Sequence, residues 1–138
     1  MTQSQIANWA RTGQQAFEMG DDDVLHTVIA RLDKVRGHKM LTKEVLARLP
    51  AIRTDGESES MVQAKWFSPV SGWTWYATEF NPANGHAFGL VEGFETELGY
   101  FNVYELAVTF AGPACPMLIE RDCYFTPVEL SILTGESS

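Results

Sequence analysis

The hydrophobic periodicity of the chain changes once along its length, near residue 60. In the first third, apolar residues recur every three or four positions, which is the spacing of one helix face. From Met61 onward, short segments rich in aromatic and β-branched residues alternate apolar with polar positions, and sequences rich in Pro, Asn and Gly separate them. Helices followed by antiparallel strands predict an α+β fold.

Three helices are predicted in the first 50 residues. The first runs through SQIANWARTGQQAFEM and ends at Gly20, and the aspartates at 21–23 cap the second, which ends at Gly37. These two helices are expected to form an antiparallel hairpin. A third helix is predicted over 42–49. The polar stretch AIRTDGESES after it is expected to be an exposed loop and the least ordered part of the chain.

The second half predicts a meander of three or four antiparallel strands, carried by MVQAKWF, WTWYATEF, HAFGLVEG and FETELGYF. The glycines of GHAFGLVEG are expected to permit a bulge or a close approach. Asn102 is the predicted N-cap of a short helix that runs through Phe110. MLIERDCYF is the predicted last strand, and residues 126–129 open a closing helical turn with Pro127 at its first position.

The predicted architecture is α+β, with N-terminal helices followed by an antiparallel β-sheet meander and a short helix packed on it. A length of 138 residues suits a single domain. Within it, we expect residues 1–39 to form the helical hairpin, residues 40–133 the α+β core and residues 134–138 a frayed tail. The expected core of the sheet includes Trp66, Trp73 or Trp75, Leu90 and Ile119.

The charge of the chain is unevenly distributed. The net charge is −8, and residues 61–138 hold nine acidic residues against two cations, Lys65 and Arg121. Such a balance opposes binding to a phosphate backbone, so direct nucleic-acid binding is not expected. One basic junction, between the second and third predicted helices, faintly resembles a helix-turn-helix. Its cations are Arg31, Lys34, Arg36, Lys39, Lys43 and Arg48.

Neither a membrane span nor a disulfide framework is predicted. No apolar run approaches the ~20 residues of a span, and the first residues lack a secretory signal, so we expect a cytoplasmic location. Cys115 and Cys123 have no metal-ligand spacing, and we expect them to be free thiols that are buried or half-buried.

Paired carboxylates are the strongest candidates for a metal-binding or catalytic site. Glu95 and Glu97 share one face of their predicted strand. Glu120 and Asp122 share one face of theirs. If the two strands pair, four carboxylates converge, as in a hard-metal site or an acid–base pair; the alternative is a row that faces solvent. Because G-x-S-x-G and Walker motifs are absent and no His pair has helical spacing, we predict no catalytic residue, no metal and no cofactor.

Acidic residues interspersed with many aromatic ones indicate a surface for a protein partner or a cationic ligand, unless the aromatics fill the core. The predicted binding residues are Trp73, Trp75, Tyr76, Glu92, Glu95, Glu97, Glu120 and Asp122. Arg121 is expected to be structural, in a buried ion pair with a carboxylate of a neighbouring strand. Its candidate partners are Glu79, Glu92, Glu95 and Glu97.

Four longer segments carry a family resemblance: MLTKEVLARLP, KWFSPVSGWTWYATEF, FGLVEGFETELGYFNVYELA and GPACPMLIERDCYFTP. With these segments in this order, from Met40 to Leu133, the chain resembles a bacterial domain-of-unknown-function family that is carried on plasmids, integrative elements and phages. The resemblance implies a mobile-element accessory gene, and it implies no agreed activity.

Two hypotheses of function follow. The first is a non-enzymatic protein that binds a host or element-encoded protein, as an acidic inhibitor or regulator of a nucleic-acid-handling or defence system. The second is a small-ligand-binding protein or an enzyme that uses the carboxylate and aromatic residues as a pocket. The oligomeric state stays open.

Overall fold

The computed structural model of the protein describes residues 1–110 and 117–135. The predicted loop GPACP, which contains Cys115, and residues 136–138 of the predicted tail lie outside the described residues. The predicted α+β class is confirmed, because helices come first and a five-stranded antiparallel sheet with a short helix follows. Within the described ranges, no helix is long and apolar enough to cross a membrane.

Five helices and seven strands are described. The helices are α1 (Gln3–Met19), α2 (Asp22–Arg36), α3 (Lys43–Arg48), α4 (Val103–Ala107) and α5 (Leu130–Thr134). The strands are β1 (Met61–Val62), β2 (Ala64–Phe67), β3 (Thr74–Asn81), β4 (His86–Glu92), β5 (Thr96–Asn102), β6 (Glu120–Arg121) and β7 (Val128–Glu129). The large sheet has the order β5-β4-β3-β2-β6, and β1 pairs with β7 separately.

The predicted capping residues lie at the ends of the first helices. The side chains of Asp21 and Thr42 each accept a hydrogen bond from the backbone N–H three residues later, at 3.3 and 3.1 Å. Gly20 and Gly37 end α1 and α2 in the left-handed conformation, which glycine adopts without steric cost. The local sequence therefore determines where the hairpin begins, turns and ends.

A β-bulge in β3 lies opposite Gly89 of β4. The register shifts between Ala77 and Glu79, so that Gly89 faces Ala77 and Phe88 faces Glu79. A Cβ at Gly89 would overlap the backbone oxygen of Tyr76. The close approach of the two strands therefore requires glycine, as predicted for this segment.

The bulge places two successive residues, Thr78 and Glu79, in the interior, where they are 0% and 1% exposed. The Glu79 carboxylate accepts hydrogen bonds from the backbone N–H groups of Arg53 and Glu59, at 2.8 and 3.1 Å. The Thr78 hydroxyl donates a third hydrogen bond to it, at 2.7 Å. The polar stretch 51–60, predicted to be the least ordered segment, is therefore tied to the sheet at two points.

The core of the sheet contains the residues that its alternation predicts. Trp66 and Ile119 are buried in a cluster formed by α3, α4 and strands β2, β3 and β4. Leu90 is buried in a second cluster, together with residues of β1 and α5. Trp73 and Trp75 are only half-buried, so some aromatic side chains of the sheet lie outside its core.

The helical hairpin shares a core with the second half of the chain. Ala10 of α1 and Leu32 of α2 are fully buried in one cluster, which also contains Val108 and Leu118. A Cβ at Gly13 would overlap the Val108 side chain. The small residues of α1 therefore allow the hairpin to pack closely against α4 and the segment that precedes β6.

The C-terminal segments depart from the prediction. MLIERDCYF forms only the two-residue strand β6, because the Asp122 carboxylate accepts a hydrogen bond from Tyr124 N at 2.9 Å and a turn begins there. The predicted helical turn at 126–129 is wrong, since its last two residues pair with β1 and the helix begins at Leu130.

Two smaller predictions also fail. α4 ends at Ala107, and Phe110 forms an isolated bridge with Leu118 instead of a last helical turn. Cys123 is exposed and not buried, because it lies in the turn that follows β6.

Candidate functional site

The strand order separates the two predicted carboxylate pairs. Glu95 and Glu97 lie just before and within β5, at one edge of the large sheet. Glu120 and Asp122 lie within and just after β6, at the opposite edge. Because three strands lie between β5 and β6, the four carboxylates do not converge. In the part of the chain that the structure describes, no group of three or more His, Cys, Asp or Glu residues could hold a metal ion.

Half of the predicted binding residues do come together, where β4 turns into β5. Trp75 pairs with Val91 across β3 and β4, and Val91 pairs with Glu97 across β4 and β5, so these residues share one face of the sheet. A cavity of about 340 Å³ opens beside them. We term this region the aromatic-acidic surface, and it consists of Trp73, Trp75, Val91, Gly93, Phe94, Glu95 and Glu97.

Three aromatic rings are connected at this surface. Trp73 stacks on Trp75 with ring centroids 5.9 Å apart and an interplanar angle of 29°. Phe94 meets Trp73 edge-on, at 5.4 Å and 84°. Both geometries are favourable for ring pairs. Phe94 is nevertheless 95% exposed, so almost all of its apolar area faces solvent.

The turn between β4 and β5 positions these rings. Gly93 N donates a hydrogen bond to Glu95 O at 3.0 Å, which closes the turn around Phe94. A Cβ at Gly93 would overlap the indole of Trp73, so glycine lets that ring lie against the turn. Val91, Gly93 and Phe94 are absent from the predicted site. The signal for Phe94 is an apolar aromatic residue in a turn, where small and polar residues are usual.

The carboxylates of this surface have no cationic partner among residues 1–110 and 117–135. None of the salt bridges described there involves Glu95 or Glu97. The two cations of the second half are engaged elsewhere. Lys65 Nζ lies 3.7 Å from the Asp122 carboxylate, and Arg121 Nε donates to a backbone carbonyl. The aromatic-acidic surface therefore keeps its negative charge.

Three other predicted residues lie on the opposite face of the sheet. Tyr76 is buried, and Lys65 Nζ lies 5.6 Å from the centroid of its ring. Burial raises the pKa of the Tyr76 hydroxyl, and the neighbouring Glu92 adds to the increase. Asp122 pairs with Lys65. Tyr76, Glu92 and Asp122 are therefore separated by the sheet from the aromatic-acidic surface.

A family model described as "Protein of unknown function (DUF2958)" matches residues 38–134. The chain belongs to this family. Membership of a domain-of-unknown-function family, which the sequence resemblance predicts, is thereby confirmed. No curated protein and no solved structure matches the chain. The DUF2958 region contains the whole aromatic-acidic surface, whereas α1 and α2 precede it.

Arg36, the last residue of α2, ties the hairpin to the DUF2958 region. Its side chain is fully buried, and its guanidinium donates to the backbone oxygens of Ile119 and Ala107, at 2.7 and 2.6 Å. A third hydrogen bond and an ion pair join it to Asp33. Burial lowers the pKa of Arg36 and raises the pKa of Asp33, and the attraction between the two groups opposes both changes. We term these four residues the arginine cluster.

The predicted basic junction is therefore not a continuous basic surface. The charge of Arg36 is enclosed, and Arg48 donates to the backbone oxygen of Gln63 at 2.9 Å. The guanidinium of Arg31 lies over the ring of Trp9, 4.8 Å from its centroid. Three of the six cations of the junction thus serve contacts within the chain.

Arg121 does not form the predicted ion pair within the described residues. Its Nε donates to Lys39 O at 2.8 Å, and its backbone N–H donates to His38 Nε2 at 3.1 Å. The reason is the strand order, because β2, β3 and β4 separate Arg121 from the carboxylates near β5, and the loop 51–60 engages Glu79. The structural role of Arg121 stays a prediction.

Glu120 lies apart from the other predicted binding residues. It lines a separate cavity of about 300 Å³ beside α1, together with Gln3 and Ile6. Its charge acts on His38, whose pKa burial lowers and Glu120 raises in part. Glu120 therefore belongs to the surroundings of the arginine cluster.

Proposed function

We propose that the protein is a non-enzymatic binding protein that accepts a cationic segment of a partner protein at the aromatic-acidic surface. The observation that carries the proposal is the position of Phe94. This side chain is 95% exposed, yet it lies edge-on against Trp73 and beside two carboxylates. Exposed aromatic residues that are held in place are typical of the anchors of protein interfaces.

The chemistry of the surface favours a lysine or arginine side chain. A cation over an indole ring contributes ~0.5–2 kcal/mol, depending on how far it is desolvated. Because Glu95 and Glu97 are exposed, an ion pair of such a cation with either of them contributes about 0.2–1 kcal/mol. Arginine combines planar stacking with paired donors, so it suits a site that offers both rings and carboxylates.

The size of the cavity also supports a side chain as its occupant. About 340 Å³ is near the lower limit of ligand sites, which span roughly 300–1,000 Å³. One or two side chains of a partner fill such a volume. The uncompensated carboxylates of this surface disfavour an anionic occupant.

A titration with an arginine-rich peptide tests the proposal, with the tryptophan fluorescence of the protein as the signal. We expect the wild-type protein to bind the peptide more weakly as salt concentration rises. Phe94→Ala is expected to lower the affinity about tenfold, because the anchor and its edge contact are lost. The double variant Glu95→Gln, Glu97→Gln is expected to lower the affinity and to flatten its salt dependence.

The matched control is Tyr124→Ala, which removes an aromatic side chain that is 96% exposed and lies beyond β6 at the other edge of the sheet. This variant is expected to bind like the wild type. Equal affinities of the Phe94→Ala and Tyr124→Ala variants would contradict the proposal, as would an absence of binding at low and moderate salt.

A second candidate function is the binding of a small cationic molecule, with or without catalysis. The cavity itself favours it, because rings and carboxylates line the same concave space. Choline is a suitable probe, since quaternary ammonium groups bind to aromatic faces. Binding of choline as tight as that of the peptide, lost in Phe94→Ala, would favour this candidate.

The wider proposal is that the partner is a host or element-encoded protein of a bacterium that carries a mobile element. In this proposal the protein acts in the cytoplasm as an inhibitor or regulator of a nucleic-acid-handling or defence system. The net charge of −8 supports it, because acidic proteins can occupy the basic grooves of such systems. Pull-downs from host lysate should recover a stoichiometric partner with the wild type and lose it with Phe94→Ala. Identical recovery by both would count against the proposal.

A further inference from the structure

The strand β5 lies at the edge of the large sheet, and β4 is its neighbour. Two hydrogen bonds at the ends of their ladder show which residues face β4. Gly93 N donates to Glu95 O at 3.0 Å, and Val103 N donates to Gly85 O at 2.9 Å. Bonded pairs alternate along an antiparallel ladder, and the register of β4 and β5 is unbroken. The odd-numbered residues of β5 therefore bond to β4.

The even-numbered residues of β5 direct their backbone N–H and C=O groups away from the sheet. Two of them, Leu98 and Tyr100, share a face and are 51% and 59% exposed. Proteins protect such edges with lysine, proline, bulges or a covering segment. The sequence TELGYFN of β5 contains neither lysine nor proline, and no bulge interrupts its pairing with β4.

The glycines at the centre of this ladder differ in what surrounds them. Gly89 and Gly99 face each other across β4 and β5. A Cβ at Gly89 would overlap a backbone atom of β3, whereas a Cβ at Gly99 would meet no described atom within 4 Å. No contact within the described chain therefore requires glycine at 99. A glycine in the interior of a strand is typical of a site that another backbone approaches.

We propose that β5 pairs with β5 of a second copy of the chain. The two strands run antiparallel about a twofold axis that passes through the paired Gly99 residues, perpendicular to the sheet. The two large sheets then form one continuous sheet. Such an interface is isologous, since each copy contributes the same residues.

The hydrogen-bonding pattern selects this register. With the axis at Gly99, Leu98 faces Tyr100 of the second copy, and Thr96 faces Asn102. All the outward N–H and C=O groups of β5 then have partners, and the two exposed apolar side chains cover each other. An axis at position 98 or 100 leaves some of these groups without a partner.

The charges agree with the same register. Glu97 faces Phe101 of the second copy and not Glu97. The two Glu97 residues are four positions apart along the strands, or about 13 Å. This distance exceeds the screening length of about 8 Å at physiological salt, so the repulsion between them is weak. An axis at position 97 would place the two carboxylates directly opposite each other.

The twofold axis keeps each face of the sheet on the same side. It therefore brings two aromatic-acidic surfaces to one side of the dimer, on both sides of the axis. If the proposed function holds, a partner with two cationic segments would bind the dimer more tightly than one segment binds the monomer. The dimer itself rests only on the edge of β5, so a monomeric protein that binds the arginine-rich peptide would refute the dimer and leave the proposed function intact.

Disulfide trapping tests the register. In a Cys115→Ser, Cys123→Ser background, the Gly99→Cys variant is expected to form a covalent dimer under mild oxidation. Cα atoms in such a non-hydrogen-bonded pair are about 4.5 Å apart, within the range of a disulfide. Leu98→Cys is the matched control on the same strand. Its two Cα atoms lie more than about 7 Å apart in this register, so it is expected to form no disulfide-linked dimer.

Light scattering over a range of concentrations tests the dimer without any cross-link. The mass of the wild type should rise from 15.4 kDa towards twice that value as concentration increases. Leu98→Glu is expected to raise the dimer dissociation constant at least about tenfold, because it places a charge in the apolar pair. Tyr124→Glu, at an equally exposed aromatic position outside β5, is expected to leave it unchanged.

Three results would overturn the proposal. The first is a mass that stays at 15.4 kDa up to about 1 mM protein. The second is faster trapping of Leu98→Cys than of Gly99→Cys, which would exclude this axis. The third is a dimer that Leu98→Glu and Tyr124→Glu weaken equally.

Discussion

The charged groups of the arginine cluster are paired within the described residues, whereas the carboxylates of the aromatic-acidic surface are not. In the arginine cluster, the guanidinium of Arg36 is fully enclosed, and each of its contacts lies within the chain. At the aromatic-acidic surface, Glu95 and Glu97 are exposed, and no described cation is paired with them. The first arrangement connects distant segments of the fold. The second leaves the charge available to a partner. The two regions therefore differ in whether their charges are paired within the described residues.

Deletion of residues 1–37 is expected to cause the largest loss of stability, because it removes the whole hairpin and with it Arg36. The truncated chain would expose Val108 and Leu118 and would leave the backbone oxygens of Ala107 and Ile119 without their donor. We expect loss of cooperative unfolding or association of the chain, measured by urea denaturation and light scattering. A truncated protein as stable and monodisperse as the full chain would show that the hairpin is independent.

Arg36→Ala tests the arginine cluster alone. The variant leaves the half-buried Asp33 carboxylate and two carbonyl oxygens without this donor, so we expect a loss of ~2–4 kcal/mol in the free energy of unfolding. Urea denaturation at pH 7 measures it. Arg11→Ala is a suitable control, since the guanidinium of Arg11 donates to Asn8 Oδ1 on the exposed side of α1. A loss below about 1 kcal/mol for Arg36→Ala would mean that the cluster contributes little.

Glu79→Gln tests whether the buried carboxylate of Glu79 also stabilises the fold through its hydrogen bonds, as we expect for the arginine cluster. The amide keeps one acceptor oxygen and turns its NH2 group towards one of the two backbone donors, because Arg53 N and Glu59 N bond to different oxygens of the carboxylate. We expect a loss of about 1–3 kcal/mol, with faster amide hydrogen exchange of the N–H groups of Arg53 and Glu59. Unchanged exchange at these two amides would show that Glu79 does not hold the loop 51–60.

A smaller effect is expected from the pH dependence of His38, at the border of the arginine cluster. Burial lowers its folded-state pKa below 6.5, so its contribution to stability is present above pH 6.5 and is lost as pH falls through the folded-state pKa. Protonation also removes the Nε2 acceptor of the Arg121 backbone N–H. Between pH 7.5 and pH 5, the melting temperature of the wild type should fall about 2 °C more than that of His38→Gln. A larger fall in His38→Gln would reverse the sign that we assign.

The smallest effect on stability is expected at the aromatic-acidic surface. Because Phe94 is 95% exposed, Phe94→Ala should change the free energy of unfolding by less than about 0.5 kcal/mol. The same urea denaturation measures it. A large loss would assign Phe94 to the fold and remove the contrast between the two regions.

Features that depend on neighbouring residues could be predicted from the sequence. The caps at Asp21 and Thr42 and the left-handed Gly20 and Gly37 each rest on one to four consecutive residues. The strands of the meander follow from alternation, and Trp66 is buried as that alternation predicts. Four of the seven residues of the aromatic-acidic surface could be predicted for the same reason, since each of the pairs Trp73 and Trp75, and Glu95 and Glu97, alternates along one short segment.

Features that depend on long-range pairing could not be predicted in the same way. The sequence leaves open whether the strands of Glu120 and Glu97 pair, because local periodicity does not specify the order of strands in a sheet, and the two strands lie at opposite edges. The burial of Glu79 depends on a one-residue bulge, which moves a side chain to the other face. The sequence predicts Arg36 only as a helix-ending cation, because its acceptors are distant: Ala107 lies in α4, and Ile119 lies just before β6.

The span of one hydrogen bond has a consequence for how the chain reaches its native state. The bond from Arg36 to Ile119 joins residues 83 positions apart. The meander from β2 to β5 consists of local pairings, which form early and at low entropic cost. The arginine cluster can form only after Ile119 has been synthesised, because the backbone oxygen of that residue is one of its acceptors. The hairpin is therefore synthesised well before the residues that complete its packing, and its apolar face lacks these partners until Val108 and Leu118 follow.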